Sequence, residues 1–163
     1  IGTVVVYDQI DYMLNKNLGF DKEQILVVRR CDVLESNLET FKSDILKNPN
    51  IKAVANSMAI PGKQYSNNAF RTEDNPKSPY LLMQNNVSFG YGQLMDLELV
   101  AGRFHSPDHP SDSTGIVVNE AAVKMMGYDN PLEHQFFNRG RNGEIIPMPI
   151  IGVVKDYNID FLI

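Results

Sequence analysis

Cysteine is nearly absent. Cys31 is the only one, so no disulfide can form within the chain. A lone thiol does not identify a redox compartment. To act as a nucleophile it would need a histidine and an orienting partner beside it in the fold. Cys31 follows Arg29 and Arg30 at the end of the apolar run 25–28, which favours a structural, half-buried side chain over a reactive one.

Basic excess is also absent. Fifteen Lys and Arg stand against 20 Asp and Glu, a formal net charge of -5. Nucleic acid needs a positive face that releases phosphate counterions, so this balance argues against it. It argues equally against docking on an anionic lipid surface. No apolar run approaches the ~20 residues that cross a bilayer. The two longest are 1–7, broken by Gly2 and Thr3, and 150–154, broken by Gly152.

Catalytic signatures are missing too. There is no GxSxG elbow, no HExxH, no EF-hand loop and no Walker A segment. Gly140 and Gly143, and the run Phe89-Gly90-Tyr91-Gly92, lack the strand-to-helix junction that phosphate binding requires. His105 and His109 lie four apart with Asp108 and Asp112 nearby. On a helix that spacing would align two metal ligands. Pro107 and Pro110 rule out the helix, so 104–114 reads as a solvated loop. The expectation is a non-enzymatic chain with no cofactor and no metal.

What remains is ordinary globular composition, with 43% hydrophobic and 21% charged residues over 163 positions. That length fits one domain or two small subdomains. Ile10, Met13, Leu14 and Leu18 have helical spacing, and Gly19 stands where a C-terminal cap would. The β-branched run 25–30 reads as a buried strand. The pattern then predicts a helix over 32–48. Leu34, Leu38, Phe41, Ile45 and Leu46 share one face, Asp32 and Glu35 suggest a capping box, and Pro49 ends it. A strand over 51–58 follows, closed by Pro61-Gly62.

Residues 62–113 differ in character. Asn-Asn, Asn-Pro, Ser-Pro and glycine turns separate short strands predicted over 69–72, 80–87 and 97–100, with a helical turn at 93–95. Regularity returns with a strand over 115–118. Asn119 is an N-cap for a helix over 120–126, and Gly127 is its C-terminal stop. A hairpin of 132–138 and 144–154 turns at 139–143. Pro147 and Pro149 place part of its second strand on an edge or at a bulge. The expected class is α+β, with two β-α-β units from the chain ends and a β-rich insertion between them.

The chain begins with Ile and is apolar at both ends. No basic region or small-residue cleavage site marks a signal peptide. Either a terminal strand docks in a sheet, or both ends are the stumps of membrane helices.

Several segments in order resemble FtsX/MacB-type ABC transporter permeases. Tyr12-Met13-Leu14-Asn15-Lys16-Asn17-Leu18-Gly19-Phe20-Asp21 is similar to the stretch after a transmembrane helix in that family. Residues 51–58 with Pro61-Gly62 resemble its second strand. Leu97-Glu98-Leu99-Val100-Ala101-Gly102-Arg103-Phe104 resembles its "aGR-f" segment. Ile116-Val117-Val118-Asn119-Glu120-Ala121-Ala122 through Gly127 resembles "ivvNeaaak-lG", and Asn130-Pro131-Leu132 and 150–158 match the last two blocks. Glu133 and Asp96 stand where the family usually has glycine.

The resemblance implies an extracytoplasmic domain between two membrane helices, at the periplasmic face of the bacterial inner membrane. Residues 1–19 would be a membrane-proximal helical stump, and 159–163 the lead into the next membrane helix. Residues 20–61 and 114–158 would form a porter-like α/β subdomain, and 62–113 an inserted β-rich one. The implied partners are a cytoplasmic ATPase reached through the membrane helices, a second permease subunit or a second copy, and a periplasmic protein. The implied role is to pass ATP-driven motion to that partner. Within the insertion, Tyr65, Phe70, Tyr80, Phe89 and Tyr91 are the aromatic contact candidates, with core packing the competing role for each. Two other classes stay open. One is a small-ligand-binding or sensor domain. The other is a hydrolase built on His105, Asp108 and His109.

Overall fold

The structure is a computed structural model that describes residues 24–59, 65–139 and 142–157. The expected stump at 1–19, the Pro61-Gly62 turn, the tip of the last hairpin at 140–141 and the lead at 159–163 lie outside the described residues.

Among the described residues, six strands form one mixed sheet in the order β2-β1-β5-β6-β3, with β4 beside β6. They are β1 (Ser66–Thr72), β2 (Tyr80–Gln84), β3 (Leu99–Gly102), β4 (Ile116–Asn119), β5 (Gln135–Arg139) and β6 (Ile145–Val154). The fold class is α+β, as expected. Strands from the 62–113 segment join the same sheet as the later ones. β1 pairs with β5 through Arg71↔Phe137 and Thr72↔Phe136, and β3 pairs with β6 through Gly102↔Gly152.

The C-terminal β-α-β unit is present. β4 runs parallel to β6, and α3 (Glu120–Met126) crosses between them. Its ends follow from local chemistry. The Asn119 side chain accepts from the Ala122 N–H at 3.1 Å, which satisfies one orphan donor of the first turn. Gly127 takes φ 72 and its N–H returns to Val123 O at 3.0 Å.

Ala122 and Met126 of α3 then pack on the sheet, against Phe70, Val118, Phe136, Ile150 and Val153. Phe136 is completely buried, and its ring lies 5.2 Å from that of Phe70 at a tilt of 56°. Ile150 and Val153 are three apart, which in a regular strand would put them on opposite faces. A bulge resolves this. Between Ile116 and Val117 the β6 partner jumps from Ile150 to Gly152, so both side chains reach one core.

The two prolines of β6 are accommodated by pairing side. The Ile150 N–H donates to His134 O at 3.1 Å, so the N–H groups at even positions face β5. The nitrogens of Pro147 and Pro149 therefore point to the opposite side, where β3 reaches only 152–154.

The N-terminal β-α-β unit does not form as expected. Residues 25–30 are irregular and mostly exposed, and 51–58 contribute only the bridge Ser57↔Val87. A strand needs a ladder partner, and neither run has one among the described residues. The long helix is also shorter than its pattern. A 3-10 segment occupies Cys31–Asn37, and α1 covers Leu38–Ile45. Glu35 at φ 42 breaks the helical conformation inside the segment, Arg30 at φ 59 stands just before it, and no capping box forms at Asp32. The predicted strand over 97–100 lies two residues later, because Leu97 N is engaged with Gly92 O at 2.9 Å in the turn after α2 (Tyr91–Leu94).

Candidate interaction surface

β2 is an edge strand, and its alternation divides its side chains. Tyr80 and Leu82 pack toward the core. Leu81 and Met83 point outward, 74% and 54% exposed, opposite Ala69 and Asn67 of β1.

The base of this hairpin is stapled to the segment before it. Asn85 Oδ1 accepts from the Ser57 hydroxyl at 2.9 Å and from the Ala59 N–H at 3.1 Å. The Met58 N–H reaches Asn86 O, and the Ser88 N–H reaches Asn56 O, both at 2.9 Å. The Asn56 N–H returns to the Ser88 hydroxyl, also at 2.9 Å. The staple leaves Met58 at the surface, 76% exposed.

Under it lies a tyrosine cluster. The Tyr91 hydroxyl is hydrogen-bonded to Ser57, Tyr65 and Asn85, and burial raises its pKa. Burial also raises that of Tyr157, just past β6, with Tyr91 adding to it. The cluster thus links the exit of β6 to the hairpin base.

Of the five aromatic candidates, Phe70 lies in the core and Tyr65 is buried. Tyr80 and Tyr91 are half-buried. Phe89 is the one presented to solvent. Sequence reading passed over Leu81, Met83 and Met58. The run Tyr80-Leu81-Leu82-Met83-Gln84 is apolar at successive positions, so periodicity does not say which face is wet.

The histidine loop is organised around a different residue. Asp112 is buried, and Arg103 grips its carboxylate with both guanidinium nitrogens. The Ser106 N–H adds a third donor at 2.9 Å. Foremost through Arg103, the Asp112 pKa is lowered to about 2. A carboxylate so saturated is a tie between β3 and its following loop, not an acid or base for chemistry. His105 Nε2 sits 2.9 Å from Gly115 O, while Asp108 pairs with Ser106 and His109 is exposed. Among the described residues, no three of His, Cys, Asp and Glu group as metal ligands.

A second tie joins the start of α3 to the segment just past β6. Asp156 Oδ1 accepts from Asn119 Nδ2 and from the Ala121 N–H, each at 2.8 Å. Lys155 pairs with Glu98 at 2.6 Å, and their backbones bond at 2.9 Å.

No protein-family model matches the sequence, and no curated protein does. The fold is shared with solved structures, among them the following two. The periplasmic region of MacB from Actinobacillus actinomycetemcomitans superposes with a TM-score of 0.52 at 19% identity, over 75% of this chain and 52% of that one. A domain attributed to a permease protein of Porphyromonas gingivalis gives 0.51 at 19% identity, over 71% of this chain and 45% of that one. The chain spans about half the length of these structures. Its fold is MacB-like and α+β.

Proposed function

We propose that this chain is an extracytoplasmic domain of an ABC transporter permease subunit, at the periplasmic face of a bacterial inner membrane. It does no chemistry of its own. It carries motion from membrane helices at its ends, driven by a cytoplasmic ATPase, to a periplasmic protein. A second permease subunit or a second copy completes the assembly.

The observation that carries this reading is the MacB-like fold over three quarters of the chain. It is joined by the ordered segments from Leu97 to Tyr157 that resemble FtsX/MacB-type permeases. Their marked residues act in the fold as ties. Arg103 holds Asp112, Asn119 caps α3, and Asp156 secures that cap. A body cross-tied in this way displaces as a unit, because close-packed interiors transmit strain. The division into a porter-like part at 20–61 and 114–158 and an inserted part at 62–113 belongs to the same proposal.

The test uses the parent gene. Expressed with its flanking sequence, the protein should sediment with inner membranes, and this domain should be cleaved by protease added from the periplasmic side. Fractionation with the soluble proteins, or protection from periplasmic protease, would overturn the reading.

A further inference from the structure

We infer that Asn142 is a site of spontaneous covalent modification, losing its carboxamide through cyclisation onto the Gly143 nitrogen. Asn142 is the one asparagine of the sequence followed by glycine. The attacking atom in this reaction is the backbone nitrogen of the next residue. A side chain on that residue shields it, and glycine has none.

The fold leaves the other barriers low. Asn142 and Gly143 are exposed, in the turn between β5 and β6. A β-carbon built on Gly143 would meet nothing within 4 Å, so the space above the nitrogen is open. The bond Asn142 makes is through its backbone N–H, to the Glu144 carboxylate at 3.1 Å. Among the described residues its carboxamide has no hydrogen-bond partner and is free to turn onto Gly143.

Other asparagines are held. Asn85 Oδ1 accepts from Ser57 and Ala59, and Asn119 caps α3. Asn86 Nδ2 reaches Met58 Sδ at 3.1 Å, and Asn68 Nδ2 donates to Gln84 at 2.6 Å. Cyclisation at any of these would first break a bond, and each is followed by a residue with a side chain.

The chemistry is a hydrolysis in two steps. The Gly143 nitrogen gives up its proton and bonds to Cγ of Asn142. The bond from Cγ to the carboxamide nitrogen breaks, and that nitrogen leaves as ammonia with the proton. The five-membered imide then takes up one water. Opening at Cγ gives aspartate, and opening at the backbone carbonyl gives isoaspartate, whose main chain runs through the former side chain. Water is the sole co-reactant.

The new carboxylate lands on a basic tip. Across 139–144, Arg139 and Arg141 against Glu144 leave a formal charge of +1, which the reaction cancels. It is a slow, one-way change of charge at the end of this hairpin. The buried Phe136 lies three pairs inside the last one, Arg139↔Ile145, so the core is not disturbed. The inference stands on the hairpin tip alone and does not depend on the permease reading.

The test incubates the full chain at mildly alkaline pH and cleaves it with trypsin after Arg141 and Lys155. The peptide 142–155 contains no other asparagine. Mass spectrometry should show acid replacing amide at Asn142 several-fold faster than at any other asparagine, with isoaspartate the more abundant isomer. Faster conversion at another asparagine would overturn the site. Aspartate without isoaspartate would overturn the cyclic route. A synthetic peptide of 139–145 should convert within a few-fold of the rate in the folded chain, and a folded chain many-fold slower would show that the turn protects the bond and refute the inference. Asn142→Gln closes a larger and slower ring, so acid should cease to appear in peptide 142–155. Undiminished conversion there would place the reaction elsewhere.

Discussion

Gly102 and Gly152 stand opposite each other where β3 meets β6, and neither position has room for a β-carbon. A Cβ on Gly102 would meet Ile151 O and come within 2.9 Å of Gly152 Cα, and φ there is +71. A Cβ on Gly152 would meet the Arg103 carbonyl. Gly102→Ala is expected to lose at least about 1–2 kcal/mol from the left-handed conformation alone, before the clash is added. Gly152→Ala should cost a similar amount by clash alone. Because the two sites share one contact, the double variant should depart from the sum of the singles. Urea midpoints measure all three. An unchanged midpoint for Gly152→Ala would show that the strands do not approach as described.

Asp96 offers the opposite experiment. Its φ is 52, a left-handed position in the turn between α2 and β3. Aspartate tolerates that region better than most residues but less well than glycine. Asp96→Gly should raise stability by several tenths to about 1 kcal/mol, the relieved strain exceeding the entropy that glycine adds to the unfolded chain. Asp96→Val should lower it. A glycine variant less stable than the parent would show that the aspartate side chain contributes more than the backbone strain costs.

The Asp112 carboxylate makes stability depend on acid. Its pKa falls to about 2 in the folded chain, chiefly through Arg103. Its unfolded value is about 3.9. A depressed folded pKa gives stability that is present above the unfolded value and lost as pH falls toward the folded one. The contribution should be complete above pH 4 and decline between about 4 and 2. Asp112→Asn should flatten that part of a stability-versus-pH curve. Arg103→Leu leaves a buried carboxylate without its cation and should be worse than Arg103→Leu with Asp112→Leu. If the double variant is the less stable of the two, the pair is not the tie assigned to it.

The cap of α3 can be dissected in the same way. Asn119→Ala removes the acceptor for the Ala122 N–H and a donor to Asp156, and should cost about 1 kcal/mol or more. Asn119→Asp preserves the cap but sets a second carboxylate against Asp156. It should be less stable than the parent at neutral pH, because like charges at hydrogen-bonding distance repel. Thermal melts at pH 7 compare them. An aspartate variant equal to the parent would remove Asp156 from the network.

Local chemistry explains which elements were legible. The cap at Asn119, the stop at Gly127 and the hairpin of β5 and β6 rest on neighbours in sequence, and they fold where the pattern places them. The run 25–30 has the composition of a buried strand, but a strand is completed by a partner edge, which no local pattern contains. The stripe from Leu34 to Leu46 predicts one helix and is silent about Glu35, at φ 42, that divides it. The loop around His105 drew attention for its spacing, yet its organising pair, Arg103 and Asp112, is joined by a turn across nine residues with no period to reveal it. Hydroxyl partners of Tyr91 come from positions 57, 65 and 85, and only the folded hairpin brings them together.

The aromatic candidates separate by burial, and that separates their expected phenotypes. Phe136 and Phe70 fill the core side by side, so alanine at Phe136 should cost about 3–5 kcal/mol and at Phe70 a comparable amount. Any functional loss from either would follow loss of folding. Phe89 is 46% exposed at the hairpin base, so Phe89→Ala should shift stability by no more than about 0.5 kcal/mol. On the proposed role, Phe89→Ala in the full-length protein is expected to weaken the partner contact while the isolated chain melts as before, because an exposed aromatic can carry a contact with a partner without supporting the fold. Tyr91→Phe tests the layer beneath. It removes the hydroxyl bonded to Ser57, Tyr65 and Asn85 but keeps the ring. It should loosen the hairpin base, seen as faster amide exchange at Met58 and Ser88, with the sheet around Phe136 unchanged. Unchanged exchange at those two amides would mean the hydroxyl is not what holds the base. An unchanged partner contact with Phe89→Ala would move the proposed site away from this end of the hairpin.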